Sequence, residues 1–253
     1  MRLATWNVNS LKARLGRVEE WLGYAVPDVL CMQETKLSDA DFPSMAFSAL
    51  GYESAHHGEG RWNGVAILSR VGLDDVVAGF SDQVEDESVE ARLLSATCAG
   101  VRVSSVYVPN GRSVGSEFYE AKLAWLERIL RHLKDTGDLV CGDFNIAPDD
   151  RDVWDPKAVH GATHVSPAER QALAALLDWG LVDTFRELYD EGRLFSWWDY
   201  RAGDFHQHRG MRIDLVLATR PLAERAVFAL VDRFARKGKL PSDHAPVLVD
   251  FEI

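Results

Sequence analysis

Two short apolar runs, far apart in the chain and each joined to a group of ionisable residues, constrain the fold most strongly. Gly142-Asp143-Phe144-Asn145 follows the run 139–141, and Ser242-Asp243-His244-Ala245-Pro246 precedes the run 247–249. Short runs of this kind are typical of buried strands. The ionisable side chains therefore lie at the tips of buried strands, where an α/β enzyme usually carries its chemistry.

Further apolar runs predict a fold with many strands. We expect strands over residues 2–8, 29–33, 63–69, 92–109, 139–146, 195–198, 213–218 and 245–251. Helical spacing predicts one helix capped by Ser10, a second that starts at Ser116 and a third over 167–179. Because helices and strands do not alternate strictly, an α+β sandwich with mixed sheets is favoured over a doubly wound parallel fold. The chain has 253 residues and no Pro/Gly/Ser-rich linker, so we expect a single domain over 1–253.

Polar residues recur at or near the ends of these predicted strands: Asn7, Glu34, Asp143, Asp214 and Asp243. Such residues are costly to bury without partners, so five from separate segments indicate convergence on one site. Carboxylate and amide oxygens suit a hard divalent cation, which predicts Mg²⁺ or Mn²⁺. Asp143 and Asn145 point to one face of their strand, and His244 adds a titratable imidazole. The combination predicts metal-assisted cleavage of a phosphate ester.

The charge balance limits how the chain could meet a polyanion. A formal net charge of −11 argues against coating nucleic acid by bulk charge. A local basic cluster nevertheless precedes the second motif and consists of Arg233, Arg236, Lys237 and Lys239. Phosphate contact and a solvated loop are equally good interpretations of this cluster. The segment 82–90, with five acidic residues in nine, is expected to be an exposed loop.

Cysteine usage and hydropathy bear on the compartment. Cys31, Cys98 and Cys141 lie in or beside apolar runs, and an odd count without a CxxC motif argues against disulfides and against a zinc site. We expect three buried small side chains in a reducing cytoplasm. Residues 1–7 lack the apolar stretch of a signal peptide, and no run is long enough to predict a membrane span.

Nine motifs in a fixed order carry a resemblance to a known family. They are Thr5-Trp6-Asn7-Val8-Asn9-Ser10, Gln33-Glu34-Thr35-Lys36, Asn63-Gly64-Val65-Ala66, Tyr107-Val108-Pro109-Asn110-Gly111, Gly142-Asp143-Phe144-Asn145, Trp179-Gly180-Leu181-Val182-Asp183, Phe195-Ser196-Trp197-Trp198-Asp199-Tyr200-Arg201, Arg209-Gly210-Met211-Arg212-Ile213-Asp214 and Pro241-Ser242-Asp243-His244-Ala245-Pro246. Together they resemble the exonuclease III branch of the AP endonucleases, within the endonuclease/exonuclease/phosphatase superfamily.

The resemblance implies both a fold and an activity. The fold is a four-layer α/β sandwich of the DNase I-like type, in which two mixed β-sheets pack face to face with helices outside. The activity is cleavage of duplex DNA on the 5′ side of abasic sites, with 3′→5′ exonuclease and 3′-phosphatase activity. The implied partner is duplex DNA with abasic sites or blocked 3′ ends, and the implied state is a monomer.

The resemblance also implies roles for individual residues. The ligands for Mg²⁺ or Mn²⁺ would be Glu34 as the principal residue, then Asn7, with Asp243 near a possible second metal position. Asp143 and Asn145 would complete the ligand set. Asp143 would orient or deprotonate the attacking water, and Asn145 would hold Asp143 and the phosphate.

The resemblance further implies that His244 would donate to a non-bridging phosphate oxygen. Asp214 would fix the His244 tautomer, and Tyr107 would contact the phosphate or assist departure of the 3′-oxygen. Two assignments of general base compete, namely Asp143 and the Tyr107/His244 side. In both, water attacks phosphorus in line and the 3′-hydroxyl leaves.

The substrate contacts implied by the resemblance form a further group. Trp197, Met211 and Ile213 match the apolar pocket that receives a flipped abasic sugar, and Asn110 matches a residue near the same phosphate. Lys122 and Arg112 are weaker candidates for contact with the DNA backbone.

Other phosphoesterases on this fold are the nearest alternatives, above all a non-specific DNase I-like nuclease. The motifs 107–111 and 209–214 favour the DNA-repair branch over them. A catalytically inactive DNA-binding module is a further alternative. Loss of a key site residue would indicate such a module, yet Glu34, Asp143, Asn145 and His244 are all present.

Overall fold

The computed structural model describes residues 1–80, 90–136 and 138–253. Within these ranges the strands are β1 (Arg2–Asn7), β2 (Val29–Gln33), β3 (Glu53–His57), β4 (Val65–Ser69), β5 (Asp74–Ala78), β6 (Leu93–Cys98), β7 (Val101–Tyr107), β8 (Leu139–Asp143), β9 (Leu181–Asp183), β10 (Asp214–Thr219), β11 (Ala226–Val231) and β12 (Val247–Phe251). The helices are α1 (Leu11–Ala25), α2 (Ser44–Ala49), α3 (Glu117–Thr136), α4 (Pro167–Trp179), α5 (Thr184–Leu188), α6 (Asp204–Gln207) and α7 (Arg220–Ala223).

The strands form two six-stranded mixed sheets. The first has the order β11-β12-β1-β2-β4-β3 and the second β5-β6-β7-β8-β10-β9. Only β1–β2 and β7–β8 pair in parallel among the described strands, and the other pairs are antiparallel. A shared apolar core between the sheets includes Leu3, Ile67, Leu94 and Val216. The expected four-layer α/β sandwich is therefore confirmed.

Helices cover the outer face of each sheet. On the first sheet, Trp21 and Leu22 of α1 pack with Trp6 of β1. On the second, Ile129 of α3 and Leu176 of α4 belong to one cluster with the outward side chains of β8 and β10. The apolar spacing of these helices explains their position, because each presents one apolar face to a sheet.

Strand periodicity places the polar strand ends between the two sheets. Leu139 and Cys141 of β8 lie in the core between the sheets, while Val140 lies under the outer helices. The same alternation puts Asp143 on the inner face. Asn7 also lies on the inner face, because it follows the inward-facing Leu3 by four positions on β1. Asn7 and Asp143 therefore converge because a period of two assigns both to the inner faces.

Two local expectations were wrong. Ser10 makes no capping hydrogen bond and has φ 85°. The backbone amides of Ser10 and Leu11, at the start of α1, donate instead to the carbonyls of Glu34 and Thr35, at 2.7 and 2.9 Å. Residues 195–198 form no strand, since Trp197 makes only isolated bridges to Met211 and His244.

Several elements were not expected from the sequence, namely β3, β5, β9, β11 and the short helices α2, α5, α6 and α7. β5 is exposed along its whole length and carries two aspartates, so no apolar alternation marks it. The acidic segment 82–90 lies outside the described residues, except for Glu90, which pairs with Arg92. No helix in the described part of the chain has the length and hydropathy needed to cross a membrane.

Candidate active site

Asn7 links the two sheets at the centre of the candidate site. Its side-chain amide donates to Glu34 Oε1 at 2.8 Å and to Asp143 Oδ2 at 2.9 Å. Its oxygen accepts from the backbone amide of Asn9 at 3.0 Å. Because Glu34 follows β2 in the first sheet and Asp143 ends β8 in the second, one buried amide sets the separation of two carboxylates. This hydrogen bond occupies the Asn7 oxygen that was expected to bind the metal ion, and metal ligation by Asn7 stays a prediction.

The loops that carry the site residues contain non-glycine residues in the left-handed region. Asn9, Glu34, Lys36 and Asn145 have φ between 43 and 53°. Such conformations are unfavourable for residues with a Cβ, and they persist where surrounding contacts enforce them, often at functional sites. Gly142 precedes Asp143, and a Cβ there would lie 1.9 Å from the Val106 carbonyl oxygen. The close approach of β7 and β8 therefore requires glycine.

His244 lies between two carboxylates. Its Nδ1 is 2.9 Å from Asp214 Oδ2, and its Nε2 is 3.8 Å from Asp143 Oδ2. Burial alone would lower the pKa of His244, but Asp214 and Asp143 outweigh this and raise it to about 10. The imidazole is therefore protonated at neutral pH and can donate from Nε2, as the expected Asp214–His244 pair requires.

Two other groups at the site also hold protons more tightly than usual. Burial raises the pKa of Asp143 to about 7, against the lowering effect of His244. Burial, together with the charges of Glu34 and Asp143, raises the pKa of Tyr107 well above its ordinary value. Tyr107 is thus a neutral proton donor, whereas a cation beside Asp143 would return that carboxyl group to its ionised form.

A divalent cation fits the two neighbouring carboxylates of Glu34 and Asp143 at the centre of the site. Oxygens of Glu34 and Asp143 that could hold it lie within 4.8 Å of each other and of a His244 ring nitrogen, which as an imidazolium is a neighbour rather than a ligand. The second oxygen of Glu34 pairs with Lys36 Nζ at 2.8 Å, so the ammonium group of Lys36 already compensates part of the Glu34 charge. Asp243 lies outside this group. Its oxygens accept from Asn9 at 3.0 Å and from Trp197 Nε1 at 3.1 Å, and its place in a second metal position stays a prediction.

Asn145 is held from behind by a buried ion pair. The backbone amide of Asn145 donates to Asp143 Oδ1 at 2.9 Å, and the side-chain oxygen of Asn145 accepts from Asn110 Nδ2 at 3.2 Å. Lys122 Nζ donates to the Asn145 carbonyl at 2.7 Å and pairs with Glu169 at 2.5 Å. Both side chains of this pair are fully buried. Contact between Lys122 and a DNA backbone, a weaker expectation from the sequence, is therefore ruled out by its burial.

The three residues expected to form a sugar pocket lie together. Met211 and Ile213 belong to one small apolar cluster, against which Trp197 packs. A residue that the sequence did not suggest faces them: the ring of His164 is 6.4 Å from the ring of Trp197. His164 Nδ1 lies 2.5 Å from the Asn145 carbonyl oxygen, which fixes the ring beside the reacting centre. Its φ of 75° is a glycine-like conformation.

The basic cluster is divided by burial. Lys237 and Lys239 are exposed, as is Arg233, whereas Arg236 is only 6% exposed and faces inward. Arg112 is exposed and stacks on Phe118.

Sequence reasoning missed an exposed aromatic residue near the site. Trp62 is 59% exposed, and Arg61 lies over its ring. The adjacent Asn63 and Gly64 accept from the backbone of Lys36 and Thr35. The sequence shows only a tryptophan next to an arginine, and its exposure is evident from the structure alone.

Both the sequence and the fold are similar to those of known proteins. The pattern of the Endonuclease/Exonuclease/phosphatase family matches residues 4–244. Exodeoxyribonuclease III of Haemophilus influenzae is 33% identical, with 100% of each chain covered. The 3′ phosphatase NExo from Neisseria, solved with a product DNA hairpin, has a TM-score of 0.96 and 38% identity over 100% of both chains. An AP endonuclease from Archaeoglobus fulgidus has a TM-score of 0.95 and 39% identity over 100% of both.

The buried Lys122–Glu169 pair generates a prediction about stability. Lys122→Met leaves a buried carboxylate without its cation, so we expect the free energy of unfolding to fall by about 3–5 kcal/mol. Urea denaturation measures the change. The control is Glu187→Gln, which breaks the half-exposed pair with Arg220 and should cost no more than about 1 kcal/mol. Equal effects of the two substitutions would show that the buried pair does not support the Asn145 loop.

Proposed function

We propose that this chain, which belongs to the endonuclease/exonuclease/phosphatase family and within it to the exonuclease III-type nucleases, is a DNA-repair nuclease of duplex DNA. It hydrolyses the phosphodiester bond 5′ to abasic sites and also removes 3′-terminal nucleotides and 3′-phosphates. The observation that carries the proposal is the convergence of Glu34, Asp143 and His244. Two carboxylates that can hold a cation and an imidazolium that can donate a proton would there act on one phosphate.

The metal in this proposal is Mg²⁺, with Mn²⁺ as a substitute. When bound, the cation would neutralise negative charge that develops on the phosphate. Glu34 and Asp143 would hold it, because their oxygens are close and preoriented by Asn7. Lys36 would stay beside Glu34 as a second positive charge.

Asp143 is the group best suited to orient and deprotonate the attacking water. Tyr107 and His244 are not available as bases at neutral pH, because their raised pKa values keep both protonated. The backbone amide of Asn145 and the side chain of Asn7 hold the Asp143 carboxylate in one orientation. Water placed by Asp143 would approach phosphorus in line with the leaving 3′-oxygen.

Proton donors occupy the other positions around the phosphate. His244, oriented by Asp214, donates from Nε2 to a non-bridging oxygen and stabilises charge in the transition state. The neutral Tyr107 hydroxyl contacts the phosphate or assists the 3′-oxygen as it leaves. Asn110, which is bonded to the Asn145 side chain, would contact the same phosphate.

A second candidate is an enzyme that works mainly at 3′ ends. It is favoured by His164, whose ring lies opposite Trp197 and reduces the room for an extruded sugar. A 3′-phosphate needs no extrusion, so its removal would not be hindered. The 3′ phosphatase and the AP endonuclease to which the chain is similar cover both possibilities.

One substrate panel tests the function and separates the two candidates. End-labelled duplexes that carry an abasic analogue, a 3′-phosphate or neither are incubated with and without EDTA. Metal-dependent cleavage 5′ to the abasic analogue supports the proposal, and 3′-phosphate removal alone supports the second candidate. Hydrolysis of all duplexes at random internal positions, or full activity in EDTA, would contradict both.

His164→Gly sharpens this comparison. Glycine suits the φ of 75° and opens the pocket opposite Trp197, so we expect cleavage at the abasic analogue to rise relative to 3′-phosphate removal. The ratio of the two kcat/KM values is the measurement. An unchanged ratio would mean that His164 does not limit entry of the sugar.

Asp143→Asn removes the charge that would activate water while keeping the size of the side chain. We predict a loss of kcat of at least ~10²-fold, the scale of positioned acid–base groups. DNA affinity, measured by fluorescence anisotropy in EDTA, should be largely kept. A variant within a few-fold of the unsubstituted enzyme would assign the base to the Tyr107/His244 side.

Asp214 and His244 should act as one unit. Because Asp214 acts on the reaction only through His244, Asp214→Asn and His244→Asn should have strongly non-additive effects on kcat. The double-substituted enzyme should therefore be about as slow as His244→Asn alone. Simple multiplication of the two losses would indicate an independent role for Asp214.

The exposed lysines of the basic cluster form the proposed DNA contact. Lys237→Glu with Lys239→Glu should raise KM for duplex DNA and flatten the dependence of log affinity on log salt by about one to two units. Single-turnover cleavage at saturating DNA should not change, because neither lysine lies among the reacting groups. An unchanged KM and slope would assign both lysines to a solvated loop.

The assembly state and compartment complete the proposal. All the groups named above come from one chain, which supports action as a monomer. Three free and buried thiols, Cys31, Cys98 and Cys141, are compatible with a reducing cytoplasm.

A further inference from the structure

Arg236 is a buried cation on which the charge of Asp243 acts without a direct ion pair. It ends the 3₁₀ turn Arg233–Arg236, which follows β11, and only 6% of its surface is exposed. It forms no ion pair with any carboxylate of the described residues. Burial lowers the pKa of Arg236. Burying a charge in this way is unfavourable, so the residue requires an explanation that solvent or DNA contact does not give.

Three aromatic rings surround the Arg236 guanidinium. Its central carbon lies 4.8 Å from the ring centre of Phe205, 5.5 Å from that of Tyr200 and 5.9 Å from that of Trp198. Arrangements of this kind stabilise a cation through the negative faces of the rings. Trp198 and Tyr200 belong to the loop that also carries Trp197, the wall of the candidate sugar pocket.

The guanidinium also reaches the loop that carries His244. Arg236 Nη1 donates to the carbonyl oxygen of Ser242. The Ser242 hydroxyl donates to the Asn7 carbonyl at 2.7 Å and accepts from the His244 amide at 3.2 Å. Ser242 is thus held through its carbonyl oxygen by Arg236 and through its hydroxyl by Asn7.

We propose that Arg236 is a positioning residue that joins the Trp197–Tyr200 loop to the Ser242–His244 loop. Through these contacts it would hold the imidazole of His244 and the indole of Trp197 in a fixed relation to the phosphate. The inference rests on the proposed nuclease function for its readout and differs from DNA contact, which the basic cluster suggested. A planar cation suits this task, because guanidinium can stack on rings and donate in its own plane at the same time.

Arg17 provides a matched control for a purely structural role. Like Arg236, it donates to backbone carbonyls of the same part of the chain, those of Ala235 at 2.8 Å and Lys237 at 2.5 Å. It does not contact Ser242 or the aromatic rings. If Arg236 merely stabilises this segment, Arg17→Met and Arg236→Met should therefore have the same consequences.

The experiment compares Arg236→Met, Arg236→Lys and Arg17→Met on the substrate that the unsubstituted enzyme cleaves best. For Arg236→Met we expect kcat to fall by about 10- to 100-fold, the scale of a misplaced catalytic group, with KM and the salt dependence of DNA binding nearly unchanged. Arg236→Lys, which keeps the charge but not the plane, should recover only part of kcat. Arg17→Met should keep kcat near that of the unsubstituted enzyme.

Chemical rescue keeps the test decisive if substitution weakens the fold. In Arg236→Ala, added guanidinium should enter the space between the rings and restore kcat in a saturable way, whereas equal sodium chloride should not. The proposal is overturned if Arg236→Met changes KM and the salt slope but not kcat, if Arg17→Met matches its loss, or if guanidinium fails to rescue. An inactive unsubstituted enzyme would instead contradict the proposed function.

Discussion

The side-chain amide of Asn7 is the contact on which the rest of the site depends. Each of its hydrogens is bonded to a carboxylate of a different sheet, Glu34 in one and Asp143 in the other. The half-buried Glu34 carboxylate and the buried Asp143 carboxylate repel each other, and a neutral donor between them offsets part of that repulsion. The sandwich thus needs a polar bridge where its two inner faces end, and that bridge is also what prepares a cation site.

Electrostatics then divide the titratable groups into distinct roles. His244, between Asp214 and Asp143, keeps its proton, and so does the buried Tyr107. Asp143 has its pKa raised by burial and is the group that a bound cation would return to the charged form. Neighbouring groups whose environments move their pKa values apart are the usual basis of acid–base assignment at neutral pH.

The sequence was sufficient for the layers and for the centre of the site. Alternation on β1 and β8 assigns Asn7 and Asp143 to inner faces, and that physical rule does not depend on distant context. The missed strand β5 lacks this alternation because it is exposed along its whole length. The residues 195–198 look like a strand in composition, yet they make only isolated bridges.

The sequence alone does not predict which charged residues outside the strands become buried, or against what. Lys122 and Arg236 both resembled DNA contacts, but tertiary packing buries one against Glu169 and the other among aromatic rings. His164 gave no pattern at all, because its importance arises only from its place opposite Trp197. Side chains of this kind acquire their environment from segments far away in the chain, which local periodicity does not report.

The most direct test of this account is the position of a bound metal ion. Crystals grown with Mn²⁺ would be measured near the manganese absorption edge, so that anomalous scattering locates the ion independently of any model of the protein. The account predicts a peak within coordination distance of both Glu34 and Asp143, lost in Glu34→Gln. A peak at Asp243 alone, or none beside Glu34 and Asp143 at saturating Mn²⁺, would contradict it.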